Sequence, residues 1–358
     1  MRLRYYSFFL LTFCLTGIPG TSAATLFITA PTYPAAATPM AIVAADLNRD
    51  GTLDVVTANG GTVSVFLGHG NGTFDPSVDY AAGGTSLAVG DLNGDGFVDV
   101  ATAGISILLG NGDGTLRPRA DLGFTASSVA LGDWNGDGTL DIATVNGQEL
   151  WIFQGSGDGT FPTRTTYAAT GASVVTTLDA NVDGKPDVAA AGFDGGVQVF
   201  LGGGDGTFGA PAVYLRARLA KARMLRRARE SWGGNDISIA ASDLNGDGKA
   251  DLAVSANEGP VMVLLGTGDG TFPTVADYPV PMTASGLTIG DVTGDGRTDI
   301  VTANDFTGTV TVLSGPGDGT FPARQDYGIP AIAVAPAVGD FNGDGRLDVV
   351  ATGLGSIS

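Results

Sequence analysis

The twelve residues Asp243-Leu244-Asn245-Gly246-Asp247-Gly248-Lys249-Ala250-Asp251-Leu252-Ala253-Val254 decide the fold. Acids or an amide stand at positions 1, 3, 5 and 9, glycine stands at position 6, and a short apolar run follows. The pattern D-x-N-x-D-G-x-x-D occurs seven times, starting at Asp46, Asp91, Asp133, Asp179, Asp243, Asp291 and Asp340. The spacings are 45, 42, 46, 64, 48 and 49 residues, and Thr293 replaces Asn in the sixth copy.

Two further patterns keep the same period. G-x-G-[DN]-G-T-[FL] ends at Phe74, Leu116, Phe161, Phe208, Phe272 and Phe321. From that residue runs F-x5-Y, as in Phe74/Tyr80 and Phe161/Tyr167, with Leu116/Leu122 as a variant and Phe27/Tyr33 alone near the start. Each unit reads as four short strands; in the second they are 86–92, 99–103, 105–109 and 117–122. Short strands punctuated by Gly, Asn and Asp are an all-β signature, and four strands per 42–49 residues make a β-propeller blade.

Seven units predict a seven-bladed propeller. The phase implies closure by joining the ends, with residues 27–33 as the last strand of a blade whose first strands are 333–340 and 348–352. That blade has only 354–358 left for its third strand, so it is either stunted or truncated. The alternative architecture is an open β-solenoid, which would not explain the split unit.

Three aspartates within nine residues repel one another, and 21 of the 37 acids are placed this way. Such a loop calls for a counter-ion. Positions 1, 3, 5 and 9 offer side-chain oxygens and position 7 its backbone carbonyl. The candidate ligands are Asp46, Asn48, Asp50, Thr52 and Asp54; Asp91, Asn93, Asp95, Phe97 and Asp99; Asp133, Asn135, Asp137, Thr139 and Asp141; Asp179, Asn181, Asp183, Lys185 and Asp187; Asp243, Asn245, Asp247, Lys249 and Asp251; Asp291, Thr293, Asp295, Arg297 and Asp299; and Asp340, Asn342, Asp344, Arg346 and Asp348. Oxygen-only ligation suits Ca²⁺ rather than zinc or copper, and up to seven ions are expected. An EF-hand would need Glu at position 12, where this chain has Thr57, Thr102, Thr144, Ala190, Val254, Thr302 and Ala351. The loop is therefore a β-hairpin calcium loop. The blander reading, a tight turn alone, needs one or two such residues, not four in fixed register.

These motifs resemble the FG-GAP/VCBS repeat family, which includes the integrin α-subunit propellers. Phe208-Gly209-Ala210-Pro211 spells the F-G-A-P element, though other units read Phe-Pro or Phe-Asp-Pro. The resemblance spans residues 27–358. It implies a seven-bladed propeller with calcium loops on one face, and it implies little about ligand.

Composition agrees. The 358 residues include 57 Gly, one Cys and one His, with a net charge of −19. A disulfide scaffold is excluded, a helical bundle is disfavoured by glycine, and phosphate would be repelled, so no nucleic-acid partner is expected.

Residues 1–23 read as a signal peptide: Arg2 and Arg4, an apolar run over 5–18, then Thr21-Ser22-Ala23. The run is shorter than the ~20 residues of a spanning helix, and no lipoprotein box precedes Cys14. Residues 24–358 form the propeller. The mature chain has no cysteine, no membrane span and a secreted, periplasmic or cell-surface destination, and calcium would replace disulfides as its staple. At free calcium tenfold above the dissociation constant each site adds about 1.4 kcal/mol.

An insertion at 216–233 breaks the period and carries seven of the 18 bases. It reads as a solvated excursion or a sequence artefact, or else as a basic helix for an anionic partner. His69 stands in an exposed turn and reads as incidental.

No catalytic site is expected. The leading function is a monomeric adhesion or recognition scaffold for a protein or glycan. The second is a carbohydrate-binding propeller using Trp134, Trp151 or the Phe/Tyr pairs, for which blade packing is the simpler reading. The third is the non-catalytic part of a polysaccharide-active enzyme, or a lyase or hydrolase.

Overall fold

The computed structural model describes residues 9–15, 28–35, 39–117, 120–219, 221, 237–256, 259–281, 284–305, 307–329 and 332–354. The chain is a β-propeller of four-stranded antiparallel sheets. Six blades are built from consecutive strands: blade 1 (41–84), blade 2 (87–121), blade 3 (128–168), blade 4 (174–214), blade 5 (237–278) and blade 6 (284–328).

Blade 3 shows why the sequence folds this way. Its strands are Ser128–Gly132, Asp141–Val145, Glu149–Gln154 and Thr163–Ala168. The second strand is buried at every position, because neighbouring blades cover both of its faces. The fourth alternates between exposed and half-buried, as a rim strand with one wet face should. Apolar clusters fill the spaces between blades. Val65 of blade 1 packs with Val100 and Leu108 of blade 2, and Ile152 of blade 3 packs with Val188 and Phe200 of blade 4. The first strands adjoin one another in sequence order around an axial cavity of about 220 Å³. Ile42, Leu87, Val129, Val175, Ile239, Leu287 and Pro336 line it.

Among the described residues the continuous blades number six, where seven repeats predicted seven. The remaining sheet is composite, in the order Ile332–Gly339, Asp348–Leu354, Phe9–Leu15, Ile28–Ala35. The N-terminal strand expected at 27–33 holds the outer edge. The third position, expected to be stunted, is taken by Phe9–Leu15, which pairs antiparallel with both neighbours. That segment lies within the predicted leader. An extended stretch there gives backbone partners to two strand edges that would otherwise have none. The rest of the leader, 1–8 and 16–23, and residues 355–358 lie outside the described residues.

The insertion also departs from expectation at its start. Leu215 adopts φ +57° and leads into a helical turn over 216–219. Leu219 is fully buried in the cluster between blades 4 and 5. Arg216 Nε donates to the Asp194 carbonyl at 3.1 Å, and Arg218 pairs with Asp277. This first turn is packed rather than solvated. Most of the insertion, 220 and 222–233, lies outside the described residues. Among the described residues no helix is long and apolar enough to cross a membrane.

Candidate metal loops

Each acidic loop joins the first strand of its sheet to the second. All seven share one hydrogen-bond scheme. The position 1 aspartate accepts the N–H of the position 6 glycine through Oδ2, at 2.7–3.0 Å. The position 5 aspartate accepts the N–H of position 7 at 2.8–3.0 Å. Where position 3 is Asn, its Oδ1 accepts the N–H of position 5. The position 6 glycines lie at φ +77° to +85°, a region that disfavours any side chain.

Position 9 behaves differently. Asp54, Asp99, Asp141, Asp187, Asp251, Asp299 and Asp348 are all buried. Each Oδ2 accepts the N–H of position 2 at 2.8–3.2 Å. In the first five loops Oδ1 accepts a second N–H at 2.7–2.9 Å, from Gly68, Gly110, Gly155, Gly202 and Gly266. These glycines open the G-x-G turn of the same blade. A Cβ on Gly68 would lie 2.1 Å from the Leu53 carbonyl oxygen, so no larger residue fits. The aspartate thus locks loop to turn.

The sequence reading missed position 2. Leu47, Leu92, Trp134, Ala180, Leu244, Val292 and Phe341 are all buried and anchor the loops in the inter-blade clusters. Their carbonyls reach the next blade. Those of Phe341, Leu92, Trp134 and Ala180 accept the N–H of Gly72, Gly159, Gly206 and Gly270. Their varied identity hides them; the shared signal is an apolar side chain after the first aspartate.

Burial pushes the carboxyls of Asp54, Asp99, Asp141, Asp187 and Asp251 up. The position 5 and position 1 charges add to that rise, against the lowering effect of the two N–H donors. Asp299 is pushed up to about 6, chiefly by burial. In its loop Thr293 stands in for Asn, and Oδ2 takes both the Val292 and the Thr293 N–H. Neither Asp299 Oδ1 nor Thr293 Oγ1 makes a well-formed hydrogen bond, nor does Asp46 Oδ1 in the first loop.

Among the described residues no three carboxylate, imidazole or thiolate groups converge as a ready-made metal cluster. The carboxylates are held by the loop's own N–H groups instead. The donor set still fits a hard cation. Three mutually repelling carboxylates, an amide or hydroxyl and a carbonyl share one short loop, and buried oxygens in the first and sixth loops lack partners.

The F-x5-Y motif packs blade against blade. Four of the tyrosines, Tyr33, Tyr167, Tyr214 and Tyr278, meet the Phe of the following unit, not their own. Tyr33–Phe74, Tyr167–Phe208, Tyr214–Phe272 and Tyr278–Phe321 pack edge to face at 5.4–5.8 Å. The Tyr33 and Tyr167 hydroxyls accept the N–H of Phe74 and Phe208 at 2.9 and 3.1 Å. The other lectin candidates are also enclosed. Trp134 is 1 % exposed, and Trp151 is 9 % exposed with Arg164 stacked over it and Nε1 bonded to Glu149. His69 is exposed and pairs with Asp75 at 3.1 Å.

Solved structures show the same fold at low identity. An Agrocybe aegerita lectin described as specifically recognising non-reducing terminal N-acetylglucosamine is 21 % identical, with 90 % of each chain covered and a TM-score of 0.58. A Lactobacillus plantarum protein is 14 % identical, covering 92 % of this chain and 98 % of that one, with a TM-score of 0.60. BBS1N, solved in complex with ARL6DN, is 12 % identical, covering 90 % and 94 %, with a TM-score of 0.59. None of the curated proteins compared with the chain matches it. The FG-GAP-like repeat matches at residues 46–102, 133–187, 179–254, 243–302 and 291–351, each match running from acidic loop to acidic loop. With most of its length matched, and its loops, turns and blades repeating together, the chain belongs to the FG-GAP-like repeat family.

Proposed function

We propose that the chain is an exported, calcium-binding β-propeller that serves as a non-catalytic adhesion or recognition scaffold. The observation that carries the calcium reading is the buried position 9 aspartate. Seven times a carboxylate is removed from water beside two others, and the loops' own bases, Arg49 at position 4 and Lys185, Lys249, Arg297 and Arg346 at position 7, stand at positions whose side chains are outside the ligand set. Burying a charge this way is costly unless a counter-charge is supplied. Ca²⁺ would be held by the position 1, 5 and 9 carboxylates, the position 3 amide or hydroxyl and the position 7 carbonyl, and would supply that charge. The chain's own part is to fix the loop by its N–H donors and to tie it to the blade through the glycine turn.

The composite sheet acts as the seventh blade and closes the ring while the leader is attached; cleavage after Ala23 would remove its third strand, Phe9–Leu15, and leave Ile28–Ala35 and Asp348–Leu354 to meet directly. The adjacency of Ile332–Gly339 to Ala41–Ala45, and the Gly72 N–H bond to Phe341, support this. Export rests on the leader-like residues 1–23. Isothermal titration with Ca²⁺ tests the calcium reading: binding at the loops is expected, and its abolition by the combined Asp91→Asn, Asp133→Asn and Asp243→Asn changes should reduce the ion count by three.

The second reading is a carbohydrate-binding propeller, favoured by the likeness to the Agrocybe aegerita lectin. Any sugar site would have to lie elsewhere than Trp134, Trp151 and the Phe/Tyr pairs, which are occupied by packing. A glycan array in calcium and in chelator separates the two.

A further inference from the structure

Three departures from the repeat meet at the second loop. Position 4 is glycine in five copies and Val182 in another, but Arg49 in the first. Position 7 is aromatic only at Phe97. The residue after G-x-G-[DN]-G-T-[FL] is basic only at Arg117. The structure brings all three together. Arg49, on the first loop, stacks its guanidinium 4.4 Å from the Phe97 ring centroid and donates to the Gly96 carbonyl. Arg117 Nη2 sits 2.8 Å from Asp95 Oδ2 and 3.2 Å from the Gly110 carbonyl. Arg49 does this from φ +60°, a conformation that arginine adopts only when its surroundings compensate.

We propose that Arg49 and Arg117 are tethered counter-cations of the second loop. They make it weaker for calcium than the third loop, whose residues 133–141 include no base, and clasp blades 1 and 2 whether or not the ion is bound. The inference rests on the calcium reading above. Asp95 is the position 5 ligand, with Oδ2 committed to the Arg117 guanidinium and Oδ1 to the Phe97 N–H, so an incoming ion competes with Arg117 for this carboxylate. Arg49 adds positive charge beside the position 6 and 7 backbone. The fifth and sixth loops carry looser pairs, Lys249–Asp247 at 3.5 Å and Arg297–Asp295 at 3.7 Å, each from the loop's own position 7. The third has Thr139 there, bonded to Asp137 through its hydroxyl. Displacing the exposed Arg117–Asp95 pair costs roughly twofold to fivefold in affinity, and the second positive charge, Arg49 beside the loop backbone, takes the combined weakening to about tenfold.

The test is a calcium titration of the full chain, followed through the amide resonances of Gly96 and Gly138, the position 6 glycines of the second and third loops. The wild-type protein should need about tenfold more calcium to saturate Gly96 than Gly138. Arg117→Gln should narrow the gap about twofold to fivefold, and Arg49→Ala with Arg117→Gln should close it. The double variant should also melt lower in chelator. Coincident titration of Gly96 and Gly138 in the wild type overturns the inference, as does a gap that survives both changes. The wild-type comparison decides even if a variant folds poorly. Silence of both glycines at millimolar calcium would instead overturn the calcium reading, and this inference with it.

Discussion

Gly266 donates its N–H to Asp251 Oδ1 at 2.7 Å, joining the end of one motif to the start of another 15 residues on. A Cβ at Gly266 would stand 2.2 Å from the Ala250 carbonyl oxygen. Gly266→Ala must therefore push turn and loop apart. It should cost about 3 kcal/mol, within the range of severe single substitutions. Asp251→Asn presents an NH₂ to one of two N–H donors and should cost about 1–3 kcal/mol. Urea melts in chelator measure both without the ion.

The tyrosine bridge between blades gives a smaller effect. Tyr167→Phe keeps the ring on Phe208 but removes the hydroxyl that accepts the Phe208 N–H. A loss of about 1 kcal/mol is expected. Tyr167→Ala removes the ring as well and should cost about 3–5 kcal/mol. If the pair were a sugar platform, the first change would alter binding and leave stability alone.

The acidic loops were legible because Asp, Asn and Gly at fixed register have few other uses, and the period of the three motifs announced blades. The aromatic pairing was not. Phe208 and Tyr214 stand six apart in sequence, yet Phe208 packs on Tyr167, 41 residues earlier. A repeat specifies that such residues recur, and not which neighbour they face. Position 2 was hidden for a related reason. The loop needs only its N–H and some apolar volume there, so Ala180 and Trp134 serve alike. The composite sheet was half legible: its outer strand was expected, while its third strand comes from a segment whose composition reads as a leader.

Leu219 decides whether the insertion is ornamental. It is fully buried between blades 4 and 5 although the surrounding segment is basic. Leu219→Ala should cost about 2–5 kcal/mol. Deletion of 222–233 should leave the melting temperature unchanged, and deletion that includes 215–219 should lower it.

Acidity should act in opposite directions with and without calcium. The Asp299 carboxyl is pushed up to about 6 from an ordinary 3.8. In chelator, the folded state holds this proton more tightly than the unfolded one. That contribution is full below pH 4 and is lost as pH rises through 6. The other raised position 9 carboxyls act in the same sense. Calcium requires these groups ionised, so its stabilisation should grow over the same window. Melting curves at pH 5 and pH 7 should show a larger calcium-induced shift at pH 7.

Thermal unfolding of the full chain in saturating calcium and in chelator, with the bound ions counted by equilibrium dialysis, tests the central claim most directly. Seven sites at tenfold saturation would add on the order of 10 kcal/mol. The account predicts close to seven bound ions, one of them weak, and a melting temperature more than about 10 °C higher with calcium. No bound calcium and superimposable melts would contradict it.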